Sequence, residues 1–367
     1  MTNNLVNYIK WRGDLSFKER SFNEIDALVL CQISYLDFDG ILQPDIKSAY
    51  TISSLWNAFK NDKDFEKRSD LGVLINKDTF HVLEAAAESR RFADVRPASY
   101  VNKIDAATEE QFSAVTYFLT KKNRDPIVVF RGTDDTIVGW KEDFNMSYSE
   151  AVPAQKDAVS YLEKIYGLSR GTVSTAGHSK GGNLALYAAA FANSKIKRHL
   201  KAVYNFDGPG FPEQFFKSDA YLSLIPHVKT FYPQSSLVGM LFSHSDDYTV
   251  VKSENSGAWQ HDAVSWIIEG EDFVTADALD EKSIYFNRTF NDWIKSVEPK
   301  NLEIFTKTVF GALETTGAKT NSQLGENLFD NFKKILRALK DIDKNSRDEV
   351  IKMGMLLFAT AKDNFLR

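Results

Sequence analysis

The sequence predicts an α/β protein: a mixed sheet with helices on both faces, extended by helical segments at its N-terminal and C-terminal ends. Three observations carry this. From about residue 99 to 251, short runs rich in β-branched and aromatic residues alternate with stretches of helical period. Ile127-Val-Val-Phe130 is wholly apolar, as expected of a central strand buried on both faces. On either side of this region the apolar residues recur at helical spacing. The expected division is a helical part over 1–95 packed on the core, a core over 96–275 and a helical appendage over 276–367.

The elements follow in order. Ser21-Phe-Asn-Glu24 has capping-box spacing, and Ile25, Leu28, Val29, Ile33 and Leu36 then recur as one helical stripe. Asp37-Phe-Asp-Gly40 ends that helix in a turn. Residues 46–92 read as amphipathic helix through Ile52, Leu55 and Phe59, then Leu71, Leu74 and Ile75, closing on Arg90-Arg91. From Ser99 the period shortens. Tyr100–Ile104, Phe112–Leu119 and Ile127–Phe130 read as three successive strands, followed by a helix over 153–166 and a strand over 172–176. A helix over 180–193 and strands over 201–206, 228–232 and 248–251 complete the core, whose chemistry is expected at the C-terminal ends of its strands. Beyond residue 275 no strand is predicted. Leu324, Leu328, Phe332, Ile335, Leu336, Leu339 and Ile342 form a helical stripe and Val350–Phe365 a second, expected to dock on the body.

Charge and cysteine content narrow the function classes. The net charge of −5 is spread over interleaved acidic and basic residues, which excludes a nucleic-acid footprint. Lys195-Ile-Lys-Arg-His199 is short and reads as a solvated helix end. Cys31, the sole cysteine, rules out an intrachain disulfide and a cysteine-based zinc site and favours a reducing compartment. The N-terminal residues show no signal-peptide pattern. The longest apolar runs, Leu184–Ala192 and Met353–Ala361, are half of the roughly 20 residues that span a bilayer. A cytoplasmic protein is expected.

Gly177-His178-Ser179-Lys180-Gly181 fits G-x-S-x-G, in which a serine occupies a strained turn between a strand and the helix behind it. A hydroxyl held there projects from the sheet, and the helix N-terminus faces any oxyanion formed beside it. In this architecture the base follows the nucleophile. Of six histidines, His81 lies too early, His178 sits inside the elbow with its ring turned from the serine, and His199 and His227 precede strands. His261, on the aromatic-flanked Trp259–Trp266 loop, is preferred over His244, which lies at a polar loop tip. Asp207 ends the strand after the nucleophile strand and is the preferred acid, with Asp247 and Asp246 as alternatives. The backbone N–H of Lys180 and the N–H and hydroxyl of Thr133 are candidate oxyanion donors. The chemistry is acyl transfer from a small-molecule acyl ester or lipid, through an acyl-enzyme, with no metal or organic cofactor required. Thioester or lipid-acyl hydrolysis is one alternative; a catalytically silent scaffold on a hydrolase fold is another.

Phe130-Arg-Gly-Thr133, Trp140-x-x-Asp143 and Gly177-His-Ser-x-Gly-Gly182 together resemble the class 3, fungal-type lipase branch of the α/β-hydrolases over about residues 95–270. The helix carrying Asp26, Asn205-Phe-Asp-Gly-Pro-Gly210 and Gln260-His-Asp262 are similar to a bacterial group, the Mbeg1-like proteins. The resemblance implies an α/β-hydrolase fold, Ser179 as nucleophile, Thr133 and Lys180 as oxyanion donors, and a lid over 134–150. An aromatic-rich lid would allow peripheral membrane contact. Two departures matter. Lys180 is basic where lipases of this group carry an apolar residue, so its side chain is expected to favour acidic or headgroup-bearing substrates. Residues 233–239 hold no carboxylate where those lipases place the acid, which moves the acid to Asp207, as in pancreatic-type lipases.

Overall fold

The structure, a computed structural model, describes residues 3–71, 79–120, 122–320, 323, 334 and 344–365. Helices α1 (Leu5–Arg12), α2 (Glu24–Ile33), α3 (Ile52–Lys60), α4 (Phe65–Ser69) and α5 (Phe80–Glu88) precede the sheet. The α2 cap differs from the expected Ser21/Glu24 box. Asn23 accepts the Asp26 N–H at 2.9 Å and Asp26 accepts the Asn23 N–H at 3.0 Å, while the Asp26 carboxylate also pairs with buried Arg91. A carboxylate already buried against a guanidinium caps at no further desolvation cost, whereas Glu24 is half-buried and pairs with Lys229 at 3.1 Å. Among the described residues the 46–92 region forms three separate helices; Leu74 and Ile75 lie outside the described residues.

Strands β1 (Arg96–Asp105), β2 (Glu110–Phe118) and β3 (Ile127–Phe130) are antiparallel neighbours. Helices α6 (Ile137–Asn145) and α7 (Pro153–Leu168) lead to β4 (Val173–His178) and α8 (Lys180–Phe191). The short α9 (Ser194–Lys197), β5 (Leu200–Phe206), the short α10 (Glu213–Phe216) and α11 (Asp219–Leu222), then β6 (Val228–Pro233) and β7 (Thr249–Val251) follow. The seven strands run in sequence order β1 to β7 across one sheet, with β3 through β7 parallel.

Side-chain alternation along these strands divides the core in two. Val129, Ala176, Phe206 and Phe231 point to the face covered by α2, α5 and the loop carrying Trp266. Val128, Phe130 and Val203 point to the opposite face, against Leu162 of α7 and Leu184 of α8. Truncating a residue such as fully buried Leu184 to alanine is expected to cost about 2–5 kcal/mol. With both faces covered, β3 has no polar position, and all nine residues of β2 are buried.

A two-residue hairpin, β8 (Ile268–Glu269) and β9 (Asp272–Phe273), turns on Gly270 at φ +63°. Helices α12 (Glu281–Lys295), α13 (Pro299–Glu314) and α14 (Lys344–Phe365) close the chain, α14 packing on α12 and α13. The stripe Leu324, Leu328, Phe332, Ile335, Leu336, Leu339 and Ile342 lies outside the described residues. Among the described residues no helix is long and apolar enough to cross a membrane.

Candidate active site

The turn between β4 and α8 is held by steric necessity. A Cβ at Gly177 would stand 2.0 Å from the Gly181 backbone, and one at Gly181 would stand 2.1 Å from the Phe130 carbonyl oxygen, so only glycine lets strand and helix approach this closely. Between them Ser179 adopts φ 58°, ψ −136°, a backbone state that costs a non-glycine residue about 1–3 kcal/mol. The Ser179 N–H is tied to the Phe206 carbonyl at 2.9 Å, which leaves the side chain to project from the end of the sheet. Among the described residues Ser179 Oγ has no hydrogen-bond partner.

Asp207 and His261, 54 positions apart in sequence, meet at 2.7 Å between Oδ2 and Nδ1. Asp207 is fully buried at φ 50°, its N–H donating to Phe231 O at 2.8 Å. Its Oδ1 accepts the Ser236 hydroxyl and, at 3.2 Å, the Gly239 N–H. Residues 233–239 therefore supply hydrogen-bond donors to the acid instead of the acid itself. An ionised carboxylate accepts only, so Nδ1 carries the hydrogen and Nε2 presents its lone pair. That Nε2 has no hydrogen-bond partner among the described residues, and His261 and Ser179 line the same cavity. No hydrogen bond joins Ser179 Oγ to Nε2 directly, a common state of unliganded sites that tightens with substrate. Asp246 and Asp247 are exposed on the 243–248 loop, and His244 bonds to the Ser245 carbonyl at 3.2 Å; none of the three lines the cavity.

Thr133, beyond β3, donates its hydroxyl to Asp143 Oδ2 at 2.6 Å, so the hydroxyl is engaged and the backbone N–H is the donor left for an oxyanion. Burial, partly offset by the nearby Lys180 ammonium and the Thr133 hydroxyl, pushes the Asp143 carboxyl up to about 6. The Lys180 side chain does not face substrate. The side chain is 1% exposed, and its ammonium donates to Glu142 at 2.9 Å and to the Gln111 carbonyl at 2.8 Å. The expected preference for acidic or headgroup-bearing substrates therefore has no free cation behind it; the backbone N–H is unaffected. Glu142 also accepts the Gln111 and Ala154 N–H groups at 3.0 and 2.9 Å. This buried carboxylate fixes α6 to the sheet, so the middle of the 134–150 segment is an anchored wall and not a free flap.

The cavity measures about 360 Å³. Trp140 and Phe144 of α6, Leu241 and Phe242 of the loop after β6, and Phe286 and Phe290 of α12 form its apolar wall. Both helices contribute residues four apart, one face each. Asn287 and Asn291, on the neighbouring positions of α12, donate to the Met240 and Phe242 carbonyls at 2.7 and 2.8 Å and hold that helix over the site. A larger hollow of about 610 Å³ between α1 and the β8–β9 turn, lined by Lys10 and Trp11, contains none of these reactive groups.

Several residues here were not anticipated from the sequence: Glu142, Ser236, Phe286 and Phe290, and also His178. The His178 ring does point away from Ser179, but it packs on the His261 ring at a centroid distance of 4.6 Å. The i, i+4 aromatic pair on α12 was the one visible signal; the partners of Glu142 and His178 are distant in sequence.

A mixed sheet with a strained serine elbow after a central parallel strand, an acid ending the next strand and a histidine on a later loop defines an α/β-hydrolase fold. The chain belongs to the Mbeg1-like family, whose model matches residues 86–311. No curated protein matches it. Among solved structures, a crystal structure of M37 lipase aligns at 14% identity and a TM-score of 0.38, covering 60% of this chain and 70% of that one. A likeness that weak has no bearing on chemistry.

Proposed function

We propose that the protein is a serine hydrolase of carboxylic esters with an apolar acyl chain. One observation carries this: a buried Asp207–His261 pair, with Nε2 unpartnered, shares an apolar cavity with a serine in the strained elbow conformation. In the reaction Ser179 Oγ attacks the acyl carbonyl while His261 Nε2 takes its proton. The carbonyl oxygen becomes an oxyanion at the N–H groups of Lys180 and Thr133, beside the N-terminus of α8. As the tetrahedral species collapses, the C–O bond to the alcohol breaks and His261 returns the proton to the departing oxygen. Water, deprotonated by His261, then adds to the acyl-enzyme and releases the acid and the serine hydroxyl. Asp207 holds the Nε2 lone pair toward the cavity and stabilises the imidazolium that forms. Apart from the reacting groups, the wall offers no free cation, because Lys180 is neutralised by Glu142; Asp143, at the same wall, accepts the Thr133 hydroxyl and lies 3.8 Å from the Lys180 ammonium.

A panel of p-nitrophenyl esters of graded chain length tests the assignment. Turnover should rise from acetate to longer acyl chains and fall at least about 10³-fold in Ser179→Ala. A folded protein with no activity above that variant on any ester would overturn it and favour a silent scaffold.

A further inference from the structure

Behind His261, away from the cavity, lies a second histidine with its own polar chain, and the ester-hydrolysis reading gives it no role. His178 is 1% exposed and Tyr35, just beyond α2, is 4% exposed. His178 Nε2 lies 2.8 Å from the His261 backbone carbonyl, and Nδ1 lies 2.9 Å from the Tyr35 hydroxyl. A carbonyl oxygen accepts only, so Nε2 must carry the hydrogen. Burial holds His178 neutral, well below the usual imidazole range, with the facing His261 acting in the same direction. In a neutral ring Nδ1 is then an acceptor, and Tyr35, kept protonated by burial, shares its hydrogen between Nδ1 and, at 3.2 Å, the His178 carbonyl. Nε2–H thus donates to the His261 carbonyl, and the Tyr35 hydroxyl donates to His178 at Nδ1 and at its carbonyl.

The same hydroxyl touches the other side of the site. The Tyr35 oxygen lies against Gly132, where a Cβ would stand 2.1 Å from it. Gly132 precedes the oxyanion donor Thr133, and His178 precedes Ser179. One buried hydroxyl therefore links the oxyanion loop, the serine elbow and the backbone of the base.

We infer that Tyr35 and His178 are positioning residues, holding the His261 backbone and the Thr133 loop in register with Ser179 through a single hydrogen-bonded tautomer. This rests on the ester-hydrolase reading for the identity of the reaction, but the tautomer itself is independent of it. Misplacing catalytic groups by about 1 Å costs on the order of 10²-fold in rate. Tyr35→Phe leaves Nδ1 without its donor, and His178→Leu removes the link to His261. Both are expected to lower kcat by about 10- to 100-fold with little change in KM. His178→Gln keeps an amide N–H near the Nε2 position and an acceptor for Tyr35, and should recover kcat to within about fivefold of wild type.

Long-range nitrogen-15 correlation of the imidazoles at neutral pH gives a readout that simple packing would not move. Wild type should show His178 as the Nε2–H tautomer with a hydrogen-bonded Nδ1, and Tyr35→Phe should keep that tautomer while its Nδ1 resonance moves to the position of an unbonded lone pair. An Nδ1–H or protonated His178 in wild type would overturn the inference. So would folded Tyr35→Phe and His178→Leu variants that keep kcat within twofold, or a His178→Gln no better than His178→Leu. A wild-type protein that hydrolyses no ester and takes no serine-directed label defeats the hydrolase reading, and the role with it. An active wild type with indifferent variants defeats the role alone.

Discussion

Two buried acid–base pairs flank Ser179, and they differ in what they leave undone. Glu142 and Lys180, 2.9 Å apart, are closed: the carboxylate accepts two backbone N–H groups and the ammonium, and the ammonium also donates to Gln111 O. Asp207 and His261, 2.7 Å apart, are closed on one side only. The carboxylate is satisfied by Ser236 and Gly239, while the imidazole keeps one nitrogen unpartnered at an apolar cavity. Burial and charge pairing are common to both. What separates a fastening from a reactive pair is the spare lone pair and the space in front of it.

The sharpest way to break this comparison is Asp207→Asn. An amide either turns the imidazole to the wrong tautomer or leaves a donor against a donor, and kcat should fall by about 10³- to 10⁴-fold with the fold retained. Steady-state turnover on the best ester, with a thermal melt as control, measures it; a loss below tenfold would make the pair a fastening like the other. Lys180→Met tests the opposite side. It strands a carboxylate with no exposed surface and should cost about 3–5 kcal/mol in urea denaturation. A cost under 1 kcal/mol would mean that the ion pair does not hold α6.

Asp143 sharpens the comparison, because it is a carboxyl beside the closed pair whose ionisation is opposed by burial. Its carboxyl is raised from 3.8 to about 6, so the folded state binds more protons than the unfolded state between those values, and stability falls as pH rises through that window. Asp143→Asn should therefore stabilise the fold by about 2 kcal/mol above pH 6 and leave it unchanged at pH 4 and below. Melting curves across pH check this, and a pH-independent difference would contradict it. The smallest effects are expected at Asp246→Asn and Asp247→Asn. Both residues are exposed and off the cavity, so stability should move by less than about 0.5 kcal/mol and turnover by less than twofold.

What could be read from the sequence follows the range of each interaction. Elements with strong local signals, such as the apolar β3, the Ala-rich α8 and the glycine-bounded elbow, are where they were expected. So is the meeting of residues 207 and 261, because chain order and strand ends limit where an acid and a base can lie. The capping box at α2 was misplaced by two residues since the deciding partner, Arg91, is 65 positions away. The Lys180 side chain was assigned to substrate because nothing local shows that Glu142 waits for it across the sheet. The α12 wall and the Tyr35–His178 chain were out of reach for the same reason: the first is held by bonds spanning 47 and 49 positions and the second by one spanning 143.

The central claim is that Ser179 is an acylatable nucleophile served by His261. Treating the native protein with a fluorophosphonate and mapping the modified peptide by mass spectrometry tests it most directly. The account predicts one adduct, on Ser179, formed at least about 10³-fold more slowly in Asp207→Asn. A folded protein that takes no adduct, or takes it on another residue, would contradict it.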